Sequence, residues 1–557
     1  MMEFFSLLTK NSEYEKIMKS KYGINKILKS IPENSYPIKC KNGIFLGKNK
    51  ENIISYKGIP FAKPPIKNLR FHKPERCEDS NIIREAYYFE KSPIQINDPG
   101  EMSSYYEKSE DCLYLNIWKY NDNKIKKPIL IFIHGGAFGY GGTVDPLYDC
   151  FNFVKNHNDI ILITITYRVS ILGFLDLTQI KGGENYKESA NLGILDQIQA
   201  LKWIKENINF FGGDENNITL FGESAGAASV TILPFVKESK GLFNRIISQS
   251  GSFAFTISKN EGKSLIERLK KVMKKNDLCV DDLMKLNEND IININNQLNL
   301  YCLPPIRDDI VIPINCYEKI SECYKDIDIL IGSNEHEINY WIIECGYFFL
   351  FKIFIKILVE NIIKFRLDKN NKNIFKKYEK IEKNNPHNNF LNDLFFRSPA
   401  NKIAELHSLN GGNVYLYYWT YPSSIPNFGA CHAIELAYVF NNLKEGHHYI
   451  GNKNINYDLS KNVQEMWVNF AKFGNPSIEK FKWEKFNIKN KPCMILGNEI
   501  QIKYNLLKER DEIIEPILTK YISYEYTSMS FNVPLFHKLF FIIIGIIILI
   551  IAFLFKK

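Results

Sequence analysis

The chain of 557 residues has no CxxC pair and no Cys/His cluster at metal-ligand spacing, so no zinc site is read from it and no cofactor is expected. Its eleven cysteines are odd in number and scattered. There is no basic stripe. The net charge of +9 is spread through Asn- and Ile-rich stretches such as KNNPHNNF, which read as solvated surface, and nucleic acid is not an expected partner. The N-terminus, MMEFFSLLTKNSEYEK, has only a short broken apolar run (Phe4, Phe5, Leu7, Leu8) with no basic region before it. That is too little for a signal-peptide core. Only one glycosylation sequon occurs, Asn217-Ile218-Thr219. Together these absences favour a reducing, cytosolic setting. No internal repeat interrupts the reading.

What the chain does have is bulk apolar content, 45% hydrophobic and 14% aromatic, enough for a large core. Its organising stretch is Phe211–Gly226, FGGDENNITLFGESAG. A β-type run, Ile218–Phe221, leads straight into Gly222-Glu223-Ser224-Ala225-Gly226. A serine between two glycines after a strand reads as a nucleophile elbow, a turn so tight that small residues must flank the serine. The helix that follows begins with small residues, and its free N–H groups face any negative charge that develops beside Ser224.

Apolar runs at Ile129–Ile133, Ile160–Thr166, Arg245–Ser248, Asp328–Gly332 and Val414–Tyr421 lack alternation, as strands buried on both faces do. Ile38–Leu46, Ile53–Tyr56 and Leu113–Trp118 read as further strands. Ala190–Phe210 places Leu192, Leu195, Ile198, Leu201, Ile204 and Ile208 at helical spacing. Lys259–Leu300 and Asn462–Phe473 also read as helical, as does Tyr14–Ile31 within the polar stretch 1–36, and Phe348–Phe365 reads as an amphipathic capping helix. The alternation predicts an α/β class with a large, mostly parallel central sheet flanked by helices. In such sheets chemistry gathers beyond the C-terminal ends of strands. Gly135-Gly136-Ala137, Ser224, Glu337 and His432 all follow predicted strands.

The C-terminus differs. Leu539–Phe555 has no charge and is bracketed by Lys538 and Lys556-Lys557. As a helix it would run about 26 Å, enough for a thin bilayer core. One C-terminal transmembrane helix is expected there, anchoring the chain to a membrane with the catalytic domain in the cytosol; a lumenal or extracellular domain is the alternative.

Ester hydrolysis needs a nucleophile, a base, a carboxylate behind the base and N–H donors for the oxyanion. Ser224 and His432, in Gly429-Ala430-Cys431-His432-Ala433-Ile434-Glu435, suit the first two roles. The order donor loop, Ser, acid, His is that of the α/β-hydrolase arrangement. GIPFAKPPIKNLRF, EDCLYLNIW, HGGAFGYG, YRVSILGFL, NLGILDQIQAL and FGGDENNITLFGESAG, in this order, resemble the signatures of the type-B carboxylesterase/cholinesterase family. The resemblance covers roughly residues 37–527. It implies an α/β-hydrolase fold and a serine carboxylesterase acting on a small-molecule ester through an acyl-enzyme. It further implies the triad Ser224, Glu337 and His432, with Gly136, Ala137 and Ala225 as oxyanion donors. Glu335 is a rival acid; His447 and His448 are rival bases. Glu223 reads as a buried structural carboxylate.

Two departures stand out. The family closes the loop before Cys112 with a disulfide, but Ser92-Pro93-Ile94-Gln95 stands where the partner belongs, and Cys77 is the nearest other cysteine. The cholinesterase tryptophan of that loop is missing, which disfavours choline esters, although Tyr105 and Tyr106 are partial substitutes. The rival function is a catalytically inactive, neuroligin-like adhesion member of the same fold. The expected organisation is an N-terminal extension (1–36), the carboxylesterase domain (37–527), a juxtamembrane linker (528–538) and the span (539–555).

Overall fold

A computed structural model of the protein describes residues 16–97, 105–122, 124, 126–344, 355–357, 359–360, 362 and 373–518. Fourteen strands form one sheet: β1 (Ile27–Leu28), β2 (Tyr36–Cys40), β3 (Gly43–Lys50), β4 (Ile53–Pro60), β5 (Ile83–Glu85), β6 (Tyr114–Tyr120), β7 (Lys127–Ile133), β8 (Ile161–Ile165), β9 (Gly213–Glu223), β10 (Arg245–Gln249), β11 (Asp328–Asn334), β12 (Val414–Trp419), β13 (Pro492–Leu496) and β14 (Ile500–Tyr504). Their order is β1-β5-β3-β4-β6-β8-β7-β9-β10-β11-β12-β13-β14, with β2 paired to β3. From β8 to β13 every pairing is parallel. Antiparallel strands close both ends.

The unbroken apolar runs have the predicted cause. Successive residues of the central strands enter opposite cores. Leu220, Ile246, Ile329 and Ile331 lie in one; Phe221, Ile247 and Leu330 lie in the other. With both faces covered, alternation has no reason to appear.

Helix α1 (Leu192–Asn207) buries Leu192, Ile198, Leu201 and Ile204. Its Asp196 receives two hydrogen bonds from the Arg168 guanidinium, at 2.8 and 2.7 Å. Helix α2 (Ala225–Ile232) is buried along its whole length. The expected helical stretch Lys259–Leu300 resolves into Lys259–Met273, Val280–Met284 and Glu288–Leu298. Ser258 with Glu261, and Asn287 with Asp290, cap the first and last through reciprocal bonds. Of Phe348–Phe365, the described positions fit an amphipathic helix: Ile355, Val359 and Ile362 are buried, while Lys356, Ile357 and Glu360 are exposed.

Two local expectations need correction. Within Tyr14–Ile31 only 16–21 is helical among the described residues. Ile27–Leu28 instead pairs with Ile83 and Arg84, because an open sheet edge offers backbone partners that local propensity ignores. Met18 is fully buried in the second core, so part of 1–36 packs into the domain. The pair β13–β14 follows the last strand read from the sequence and extends the sheet past it.

The expected span (539–555) and linker (528–538) lie outside the described residues. Among the described residues no helix is long and apolar enough to cross a membrane.

Candidate active site

Strand β9 ends in the sharp turn its sequence requires. Ser224 takes φ 57° and ψ −119° between the strand and α2, a region that costs a non-glycine residue on the order of 1–3 kcal/mol. The surroundings hold it there. Ser224 N–H bonds the Gln249 carbonyl at 2.9 Å, and its own carbonyl accepts from Ala228 N–H at 2.9 Å. The flanking glycines are obligatory. A Cβ on Gly226 would sit 1.9 Å from the Ile133 carbonyl oxygen, and one on Gly222 would sit 2.5 Å from the Gly226 carbonyl carbon. Strand β7 therefore passes directly against the elbow.

The expected acid and base, Glu337 and His432, come from the loops after β11 and β12. His432 Nδ1 bonds Glu337 Oε2 at 2.6 Å, and both side chains are buried. Glu337 is held in turn: its Oε1 accepts from Asn334 N–H at 2.7 Å. Asn392 brackets the acid, accepting from Ile338 N–H at 2.9 Å and donating to the Glu335 carbonyl at 3.1 Å. Glu335 points elsewhere, half-exposed beside His336. So Glu337, not its rival, meets His432. His447 and His448 lie on the separate turn His447–Ile450.

The other face of the imidazole carries a feature the sequence reading treated as structural. His432 Nε2 lies 2.9 Å from Glu223 Oε1, without the alignment of a hydrogen bond. Burial alone would lower the His432 pKa, but the charges of Glu223 and Glu337 outweigh it and hold it well above its ordinary value. Burial pushes the Glu223 carboxyl up, opposed by His432. A third carboxyl, Glu435, accepts from Gln249 Nε2 at 3.1 Å and from Asn334 Nδ2 at 2.6 Å. Burial, reinforced by the charge of Glu223, raises it to about 8. The buried carboxyls of Glu223 and Glu435 thus lie in one network with the His432 imidazole, and their charges are coupled.

The loop after β7 supplies backbone donors. Gly136 has φ 101° and Ala137 φ 50°. The Gly136 carbonyl accepts from Gly139 and Tyr140 N–H, both at 3.0 Å, and the Ala137 carbonyl accepts from Leu303 N–H at 3.0 Å. Among the described residues the N–H groups of Gly136, Ala137 and Ala225 have no acceptor, the condition for binding an incoming oxyanion. A Cβ on Gly135 would lie 2.9 Å from Glu223 Oε2 and 3.2 Å from Ser224 Cβ, so this loop lies directly over the elbow. His134, stacked on Tyr167 with centroids 4.4 Å apart, anchors it from beneath. Burial takes His134 down to about 4, so it stays neutral.

Aromatic rings enclose the imidazole. Trp341 lies 4.9 Å, Phe396 5.1 Å and Tyr340 6.4 Å from His432, centroid to centroid. Phe396 belongs to a π-helical turn, Asp393–Arg397, a distortion frequent at functional sites. Phe255 meets Phe396 edge-on at 5.4 Å, while Phe253 packs into the core against Phe235 and Tyr317. Tyr106 is buried with its hydroxyl on Asp145 at 3.1 Å. Cys112 and Cys77 are both free thiols. The sequon's Asn217 accepts from Arg245 at 2.6 Å, and Thr219 is fully buried.

Comparison with known proteins agrees with this architecture. The carboxylesterase family matches residues 34–514. The para-nitrobenzyl esterase of Bacillus subtilis (strain 168) is 31% identical over 490 residues, 84% of this chain and 96% of that protein. An acetylcholinesterase of Leptinotarsa decemlineata is 29% identical, over 83% of this chain and 82% of its own length. Among solved structures, a Geobacillus stearothermophilus carboxylesterase superposes with a TM-score of 0.76 at 29% identity, covering 86% of this chain and 99% of its own. A thermophilic para-nitrobenzyl esterase gives 0.74 at 28% identity over the same shares. The central sheet is that of an α/β-hydrolase esterase. The adhesion-type alternative finds no support among these relatives.

Proposed function

The chain belongs to the carboxylesterase family and is a carboxylic ester hydrolase, and on that premise we propose that Ser224, His432 and Glu337 form its triad and that cleavage runs through an acyl-enzyme. The observation that carries this reading is the 2.6 Å bond from His432 Nδ1 to Glu337 Oε2, taken together with a serine strained into an elbow.

In the proposed cycle His432 takes the Ser224 proton as Oγ attacks the ester carbonyl. The carbonyl electron pair moves onto oxygen, and the N–H groups of Gly136, Ala137 and Ala225 receive that charge. Each donor is worth roughly 3 kcal/mol of barrier. The tetrahedral species collapses, the alcohol leaves with the proton from His432, and Ser224 keeps the acyl group. Water then repeats the sequence and frees the acid. Glu337 orients the imidazole and stabilises it while charged. The base must be neutral to act, so His432, held above its ordinary value by the neighbouring carboxylates, must lose its proton before the cycle starts.

The test is hydrolysis of p-nitrophenyl esters and labelling by an organophosphonate. Both should disappear in Ser224→Ala. Labelling that persists in that variant would refute the assignment. Membrane attachment through residues 539–555 is part of the same proposal. Full-length protein should stay with membranes after carbonate extraction, and its recovery in the supernatant would remove that part alone.

A further inference from the structure

We propose that Gln95 is a positioning residue for the oxyanion loop, holding in register the turn that carries the Gly136 and Ala137 N–H groups. The inference rests on the oxyanion assignment above and goes beyond it to name what sets the geometry of those donors.

Gln95 is fully buried, and its amide engages both backbone groups of one residue. Nε2 donates to the Gly141 carbonyl at 2.9 Å, and Oε1 accepts from Gly141 N–H at 2.9 Å. Nε2 also donates to the Pro93 carbonyl at 2.9 Å, tying the clamp to its own strand. Gly141 is the far end of the donor turn. It has φ 116°, and a Cβ there would lie 2.6 Å from the Gly135 carbonyl oxygen and 2.6 Å from His134 Nδ1. A shift of Gly141 would therefore be passed by contact to the residues that precede Gly136. Gly142 lies just as tightly on Ser92, with a Cβ only 2.6 Å from Ser92 Oγ.

The segment that provides Gln95 is itself fixed without a disulfide. Ser92 and Pro93 pair in parallel with Lys108 and Ser109, and Asn97 N–H bonds Asn296 Oδ1 at 2.9 Å. So the 92–97 segment has a rigid footing from which to hold the turn. An amide suits this task because it donates and accepts at once, matching a peptide unit at two points. Leaving the half-buried Gly141 N–H and carbonyl unpaired by the protein would make other loop conformations competitive.

Two substitutions test the proposal. Gln95→Met keeps size and burial but makes none of the three bonds. Gln95→Glu keeps an acceptor but, when ionised, sets charge against the Gly141 carbonyl. Donor misplacement should lower kcat by about 10- to 100-fold in Gln95→Met, less than or similar to outright loss of a donor, and further in Gln95→Glu. KM should stay within about threefold, because ground-state binding does not use the hole. Affinity for an aryl trifluoromethyl ketone, whose adduct with Ser224 places an oxyanion on the loop, should fall in proportion to kcat/KM. Wild-type kcat in both variants, or equal damage to kcat and KM with unchanged inhibitor affinity, overturns the proposal. Wild-type protein gives an arm free of folding defects: Gly141 N–H should resist hydrogen exchange, and rapid exchange there overturns the clamp. If Ser224→Ala retains hydrolysis, the proposed function has failed. If Ser224→Ala is dead and Gln95→Met is not, only the clamp has failed.

Discussion

Glu223→Gln probes the charge set around the base. In the wild type His432 Nε2 lies 2.9 Å from Glu223 Oε1. Unit charges at that separation attract by about 6 kcal/mol at an effective dielectric of 20, equivalent to about four pH units. That is a ceiling, because burial also pushes the Glu223 carboxyl up against the opposing charge of His432. A shift of about one to two pH units is the expected residue of the effect. The sign follows from His432 being held up by Glu223 and Glu337. Removing one carboxylate lowers the imidazole pKa, so the neutral base survives to lower pH. The acid limb of kcat/KM for an uncharged ester should therefore move down by that amount, while the limiting rate at high pH changes by less than about tenfold. Glutamine keeps the shape, so thermal stability serves as the check on folding. An acid limb that stays in place, or moves up, would mean that Glu223 does not govern the proton on His432.

Three further outcomes are expected. Glu337→Gln should leave KM nearly unchanged and lower kcat by roughly 10³- to 10⁴-fold, since an amide neither fixes the tautomer nor stabilises the imidazolium; steady-state kinetics with a purified, folded variant decide it. Gly226→Ala should destabilise by about 3 kcal/mol or fail to accumulate, because its Cβ falls 1.9 Å from the Ile133 carbonyl; a urea midpoint equal to wild type would contradict the elbow geometry. Glu435 has a carboxyl raised to about 8 and so contributes stability that is complete below its unfolded pKa of about 4.3 and is lost as pH rises through 8. Glu435→Gln lacks that titration, so whatever its absolute offset, denaturation should show it gaining on wild type between pH 5 and 8; a constant difference would refute the buried, shifted carboxyl.

How much of this was legible depends on the range of the interaction. The strands β7, β8, β10, β11 and β12 were readable because burial on both faces leaves unbroken apolar runs. The elbow was readable because its turn admits few residue types at Gly222 and Gly226. Glu337 could be chosen over Glu335 by its spacing from Gly332 in a resembling motif, and the reason is local: the turn brings Asn334 N–H onto its carboxylate. Contacts between distant segments left no such trace. Nothing in SPIQ says that Gln95 reaches Gly141 across 46 residues. Nor does GESAG reveal that Glu223 faces His432. The two-residue strand Ile27–Leu28 is too short to carry a period. Phe396 meets the imidazole from a π-helical turn, which no composition rule announces.

The chain order of these pieces has a consequence for synthesis. The donor turn at 135–141 follows β7, the elbow follows β9, the acid follows β11 and the base comes only after β12. A growing polypeptide thus lays down the proposed nucleophile, Ser224, more than two hundred residues before the proposed base, His432. Until Val414–Trp419 has joined the sheet beside Asp328–Asn334, the loop that carries His432 lacks the strand it follows. If the proposed triad holds, a ribosome-bound or truncated fragment should be inert toward esters, with reactivity switching on only as the last third of the chain is completed.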